Sequence, residues 1–243
     1  SLAVMVWWVI LFRTLGGVDA DYGNFITVAE RLLSGDRLYI DVYENKDPLF
    51  HYLNALSRWI TPWGSWLLGA ALVALSGVAV WHIFRSQGLG VRASFVLAGI
   101  ASPIIITGSA YFPGSSHLPG VATTLVAMAF ASRQHWVWSG VTSGLVFGLK
   151  LVMAPVAIVA VLVVALHHRS LRGVALAFLG AVASLGVQVG ILAWRGELIP
   201  YLANLVSNTQ YSNDASGGLE GLSGLFGHLG RVLNANNLAA VGV

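Results

Sequence analysis

Between residues 64 and 194 the chain is a succession of apolar runs separated by very short polar breaks. No soluble fold tolerates that pattern. Only 9% of the residues are charged and 56% are hydrophobic, with a mean hydropathy of +0.75. An ordinary soluble domain carries about 25% charged residues. Too few charges are present to cover a water-facing surface. A cytosolic domain, a disordered chain and a nucleic-acid-binding protein are therefore excluded. The formal net charge of +3 rests on 13 basic and 10 acidic residues and does not argue for an acidic partner. With no cysteine there is no disulfide framework and no zinc-thiolate site.

The expected fold is all-α, a polytopic transmembrane helical protein of about seven to eight spans. The apolar runs are 1–15, 64–84, 91–107, 118–132, 136–149, 151–167 and 171–194, with an eighth starting near 237. The whole chain, 1–243, reads as a single transmembrane domain. Both ends read as cut inside apolar helices, because the first run is short and a new one is only beginning at the C-terminal end. Residues 136–167 are too long for one span and short for two with a turn. Lys150 and Pro155 sit in their middle, so two short helices meeting at Lys150 are expected. Such a break is tolerated where backbone lines protein or water.

Charge sets the orientation. Arg85, Arg92, Arg133, Arg169 and Arg172 lie in or beside the short loops 85–90, 133–135 and 168–170. All ten acids lie in the opposite set, 16–63, 108–117 and 195–236. By the positive-inside rule the acidic set is extracytoplasmic. His167, His168 and Arg169 then read as an inner anchor.

The first outer loop, 16–63, is the informative segment. Seven of the ten acids fall between Asp19 and Asp47. Phe25, Val28, Ala29, Leu32 and Leu33 share one helical face, and Gly35 ends that helix. A second helix follows Pro48, with Leu49, Leu53 and Leu56 on one face. Both read as short amphipathic helices lying at a membrane interface, with Trp59, Trp63 and Trp66 as an aromatic belt. A loop held down in this way keeps carboxylates near lipid headgroups. The bland alternative is an ordinary polar loop.

The residues from Asp21-Tyr22-Gly23 through Leu33-Ser34-Gly35 to Leu38-Tyr39-Ile40-Asp41 and Lys46-Asp47-Pro48 carry a resemblance. They resemble the first extracytoplasmic loop of GT-C glycosyltransferases that use polyprenyl-phosphate sugars, the dolichyl-phosphate-mannose protein mannosyltransferase-like group. Asp47-Pro48 stands where that pattern has two prolines. The stretch from Gly140 to Pro155 resembles the family's fifth and sixth spans. The family is longer than this chain, which therefore looks like an N-terminal portion.

The resemblance implies a membrane enzyme. It would move a sugar with inversion from a polyprenyl-phosphate donor to a hydroxyl of a glycan, lipid or protein acceptor. The site would face outward from a bacterial inner (plasma) membrane, in contact with membrane lipids. Asp21 takes the place of the catalytic base, with Asp19 as its rival two residues earlier; the plain alternative for either is a helix N-cap. Lys46 falls in the family's Lys-Pro position and would hold the donor phosphate. Lys150, a charge between apolar runs, and Arg13, near the outer end of the first run, are further phosphate candidates; the plain alternative for either is snorkelling to an interface. Asp41 and Glu44 would orient Lys46 or hold a divalent cation, the only cofactor considered; for Glu44 a solvated loop is the favoured explanation. His117 and, in a polar outer loop with Arg195, Asn208 and Asn213, Tyr211 are supporting candidates. No metal site is assigned. The rival function is a non-catalytic lipid-binding subunit or a flippase-like transporter, whose charges would be spread across the spans.

Overall fold

The computed structural model describes the backbone of residues 20–109 and 116–216, and the side chains of 23–106 and 116–207. Arg13, Asp19 and the run near 237 lie outside the described residues. The described chain is helical, and only an isolated bridge between Leu38 and Val42 interrupts the pattern. The helices are α1 (Ala20–Leu33), α2 (Pro48–Ile60), α3 (Gly64–Ser86), α4 (Val91–Ser109), α5 (His117–Ser132), α6 (Trp136–Leu149), α7 (Ala154–His167), α8 (Leu171–Trp194) and α9 (Leu198–Ser216). One turn of 3₁₀ helix, Leu151–Met153, joins α6 to α7. The chain divides into two compact units, 1–198 and 199–243. Apart from α9, which belongs to the second, everything described below lies in the first.

Two helices, α3 and α8, are long and apolar enough to cross a membrane. The other apolar helices are shorter. The bundle turns its polar atoms inward. Ser76, Ser102 and Thr124 donate to carbonyls four residues back along their own helices. Large apolar side chains such as Phe95, Ile104, Val163, Phe178 and Val187 face outward. A surface of this composition is unusual for a water-soluble chain.

Glycine sets the closest packing. On α6, Gly140, Gly144 and Gly148 recur every fourth residue and face α8. A Cβ at Gly140 would land on the Ala177 carbonyl, and one at Gly144 would lie 2.7 Å from the Ser184 Cβ. Gly180 of α8 meets the Val137 carbonyl in the same way. This is the small-residue contact that lets helix backbones approach where lipid supplies no hydrophobic drive. Gln188 adds a hydrogen bond from its amide to the Gly144 carbonyl at 2.9 Å.

The break expected near Lys150 is present. Lys150 has φ −163° and ψ 88°, extended rather than helical. Pro155 occupies the first turn of α7, where its missing N–H costs nothing.

The face that α2 packs inward is not the one its leucines mark. The buried residues are Pro48, Phe50, His51, Asn54 and Ala55, while Leu56 is 53% exposed. Phe50 meets Phe25 of α1 edge to face, ring centroids 4.7 Å apart, and that aromatic contact fixes the rotation of the helix. On α1 the expected face holds except for Leu33, which is 44% exposed beyond the packed turn. The belt also divides. Trp59 and Trp63 are exposed, but Trp66 packs against the Val73, Ile106 and Leu118 cluster.

Replacing Gly140 by alanine should cost about 1–3 kcal/mol or more through overpacking against α8. Gly190→Ala, with open space around it, should be neutral or gain up to about 1 kcal/mol from helix propensity. Thermal unfolding of the two variants in one detergent checks the contrast.

Candidate functional site

The first loop is built as a folded unit. α1 ends in a Schellman turn. Gly35 has φ +105°, its N–H bonds the Leu32 carbonyl, and the Asp36 N–H reaches the Arg31 carbonyl at 3.1 Å. Arg31 then pairs with Asp36 at 2.6 Å and donates to the Asp41 carbonyl at 2.8 Å. Val28, Leu38 and Val42 form a small apolar core beneath the turn. Glu30 at the end of α1 pairs with Arg58 at the end of α2.

Asp47 makes the connection that matters most. It stands at the N-cap of α2, yet its side chain does not cap that helix. Its Oδ2 accepts instead from the Leu151 N–H, at 2.9 Å, 104 residues away. The break at Lys150 starts a new helical segment there, and the first N–H groups of such a segment lack acceptors within it. A carboxylate at that end satisfies one donor and suits the positive end of the helix dipole.

This bond ties the Asp47 side chain to the backbone at Leu151, one residue after Lys150. Lys150 Nζ donates to Ser116 Oγ at 3.0 Å. The charges of Lys150 and Lys46 both act on His117. Lys46, Lys150 and His117 are each partly buried, and Ser116 is buried. Gly120, one turn into α5, makes room for the Lys150 stem, since a Cβ there would sit 2.8 Å from the Lys150 Cβ. Tyr39 fixes the loop ahead of Lys46 by donating to the Lys46 carbonyl at 2.6 Å. Lys150 and Ser116 are thus in contact, with His117 next along the chain and the Lys46 charge within electrostatic reach. Chemically, that set suits an anion with several acceptor oxygens.

The remaining candidates divide. Asp21 lies in the first turn of α1, not at its cap as drawn by the helix bounds, and its side chain lies outside the described residues. Asp41 is committed to a local turn: its Oδ2 accepts from the Arg37 backbone N–H at 2.8 Å and from Arg37 Nε at 3.2 Å. Those backbone and side-chain bonds hold its carboxyl below the usual range. Glu44 is not in a solvated loop. It is 5% exposed, with Asn24 donating at 2.6 Å and the Asn45 N–H at 2.7 Å. Burial beside α1, where Asn24 reaches it, overrides the expectation drawn from charge. Asp41 Oδ2 and both Glu44 oxygens serve separate protein donors. No group of three metal-ligating side chains occurs among the described residues.

The polar loop expected after Trp194 is also corrected. A 19-residue helix, α9, begins at Leu198, and Tyr211 lies within it with its side chain outside the described residues. Arg195 pairs with Glu197 at 2.9 Å.

Glu197 escaped the sequence reading altogether. It is fully buried and accepts from the Leu38 N–H at 3.1 Å, from the Tyr52 hydroxyl and from Arg195 Nε. The Arg195 guanidinium also lies over the Tyr52 ring, 5.3 Å from its centroid. Burial, and then the Glu197 carboxylate, push the Tyr52 hydroxyl well above its ordinary range, so it stays a donor. The acid thus pins both halves of the loop to the end of α8. A lone Glu in an apolar context was the only available signal.

His51 was missed as well. It is 0% exposed, sits between Phe25 and Phe50, and neither ring nitrogen has a hydrogen-bond partner. Burial, helped by the Lys46 charge, lowers it to about 3 from an ordinary 6.5.

The chain matches no family model, no curated protein and no solved structure.

His51 supplies a pH prediction. Between pH 6.5 and 3 the unfolded chain binds a proton at this position and the folded chain does not. Stability is therefore lost as pH falls through that window, at up to about 1.4 kcal/mol per pH unit. His51→Phe removes the unpaired polar atoms and should flatten the melting temperature between pH 6.5 and 4. An unchanged slope in that variant would show that the acid sensitivity lies elsewhere.

Proposed function

We propose that the protein is a polytopic membrane glycosyltransferase of the GT-C type. In this reading it has seven to eight spans and sits in a bacterial inner (plasma) membrane. It moves a sugar from a polyprenyl-phosphate donor to the hydroxyl of a glycan, lipid or protein acceptor at the extracytoplasmic face. The observation that carries the reading is the Asp47–Leu151 bond, which ties the segment bearing Lys46 to the helix break bearing Lys150, itself bonded to Ser116 beside His117.

In this mechanism Asp21 acts as general base, or Asp19 if the register is shifted by two. The base takes the proton from the acceptor hydroxyl as its oxygen attacks the anomeric carbon. The bond from that carbon to the phosphate oxygen breaks on the opposite side, and the configuration inverts. The lipid phosphate leaves with the electron pair, and Lys46 and Lys150 neutralise its charge. An ammonium left in hydrocarbon is costly, which supports a polar role for Lys150 beneath the loop. The described apolar helices carry almost no other charge, which disfavours an ion-coupled transporter.

The reading has two consequences. Cysteines introduced at Asp36 and Ser170 should label from opposite faces of sealed vesicles, since the ends they mark lie at opposite ends of the bundle; labelling from one face would contradict it. Asp21→Asn should lower sugar transfer about 10²–10⁴-fold without unfolding the protein. Lys46→Ala and Lys150→Met should impair donor use more than acceptor use. Full activity in both Asp21→Asn and Asp19→Asn would move the lipid-binding, non-catalytic reading ahead.

A further inference from the structure

A groove of about 250 Å³ lies between α3 and α5, at the end of the bundle away from the acidic loop. Leu75 and Val78 of α3 and Val126 and Phe130 of α5 wall it with hydrocarbon. Its polar end is formed by His82, Arg133 and His135. Arg133 and His135 are exposed, and the His135 ring leans edge to face on Phe130. The His82 ring lies tilted against Trp81, centroids 4.5 Å apart, and its buried Nδ1 has no hydrogen-bond partner among the described residues. The Arg133 charge acts on His82.

Among the described residues no carboxylate pairs with these groups. No Asp or Glu occurs anywhere between residues 64 and 194. The described carboxylates cluster at the other end, in the first loop and at Glu197. The groove is therefore amphipathic in a definite sense. A hydrocarbon trough runs up to one guanidinium, flanked by two imidazoles, one of them holding an unused buried nitrogen.

We infer that this groove binds an anionic phospholipid, with an acyl chain in the trough and the phosphodiester at Arg133, His82 and His135. The inference rests on the membrane location in the proposed function, under which this end faces the cytoplasmic leaflet. It does not depend on the glycosyltransferase chemistry. The hydrocarbon walls separate a lipid from a free phosphate. The trough separates this site from general surface charge, because Arg172 lies among the basic residues of the α7–α8 end without lining the groove.

Native mass spectrometry of the full chain in detergent, titrated with phosphatidylglycerol or phosphatidylcholine, tests the site. Phosphatidylglycerol should be retained in preference, and Arg133→Gln should weaken it about fivefold, as expected for one cation at an anionic surface. Arg172→Gln should leave retention unchanged. Val78→Trp fills the trough from a position already 43% exposed and should also displace the lipid, while glycerol phosphate should not compete. Equal losses in Arg133→Gln and Arg172→Gln, full retention in Val78→Trp, or competition by glycerol phosphate would each overturn the site. A chain that enters bilayers normally but shows no headgroup preference overturns this inference alone. A chain that fails to enter bilayers overturns the membrane reading as well.

Discussion

The contact on which the rest of the molecule depends is one carboxylate on one backbone N–H. Asp47 Oδ2 accepts from Leu151 N across 104 residues. The helical run 136–167 is interrupted at Lys150, and an interruption exposes backbone donors that an apolar environment does not satisfy. The first loop supplies the missing acceptor. By doing so it is tied to the break, one residue from Lys46 on its own side and one residue from Lys150 on the other. Structure and candidate site thus share one cause. Without the broken helix there is no donor for Asp47 at Leu151.

A second anchor keeps that contact in register. Glu197, buried at the end of α8, holds the Leu38 N–H, the Tyr52 hydroxyl and Arg195 at once. Leu38 precedes Lys46 and Tyr52 follows it, so the loop is fixed on both sides of the residues that face the break. A buried carboxylate is favourable only when its hydrogen bonds are nearly all made, and here an arginine, a tyrosine and a backbone amide make them. The unpartnered His51 is the opposite case. It is enclosed by Phe25 and Phe50 and kept neutral by its surroundings.

Much of the fold was legible in the sequence because hydropathy and helix punctuation act locally. The limits of α3 and α8, the stop at Gly35 and the interruption at Lys150 all followed from residues within a few positions. Long-range pairings were not legible. Leucines marked one face of α2, but Phe50 and His51 pack on Phe25, a partner that only the tertiary structure names. Glu44 looked solvated because nothing nearby in sequence announces Asn24. Glu197 sits in a short turn whose burial depends on a loop some 150 residues earlier. Asp47 was visible as a departure from a double proline, but not the acceptor role its side chain takes at Leu151.

The central claim is that the loop and the broken helix together form a phosphate site under the acidic loop. An experimental density map of the protein in lipid nanodiscs, with a polyprenyl phosphate added, tests it most directly. The account predicts density for the phosphate within hydrogen-bond distance of both Lys46 Nζ and Lys150 Nζ, with the Asp47 carboxylate still on the Leu151 N–H. A phosphate bound elsewhere, or a Lys150 ammonium directed into the acyl chains, would contradict it.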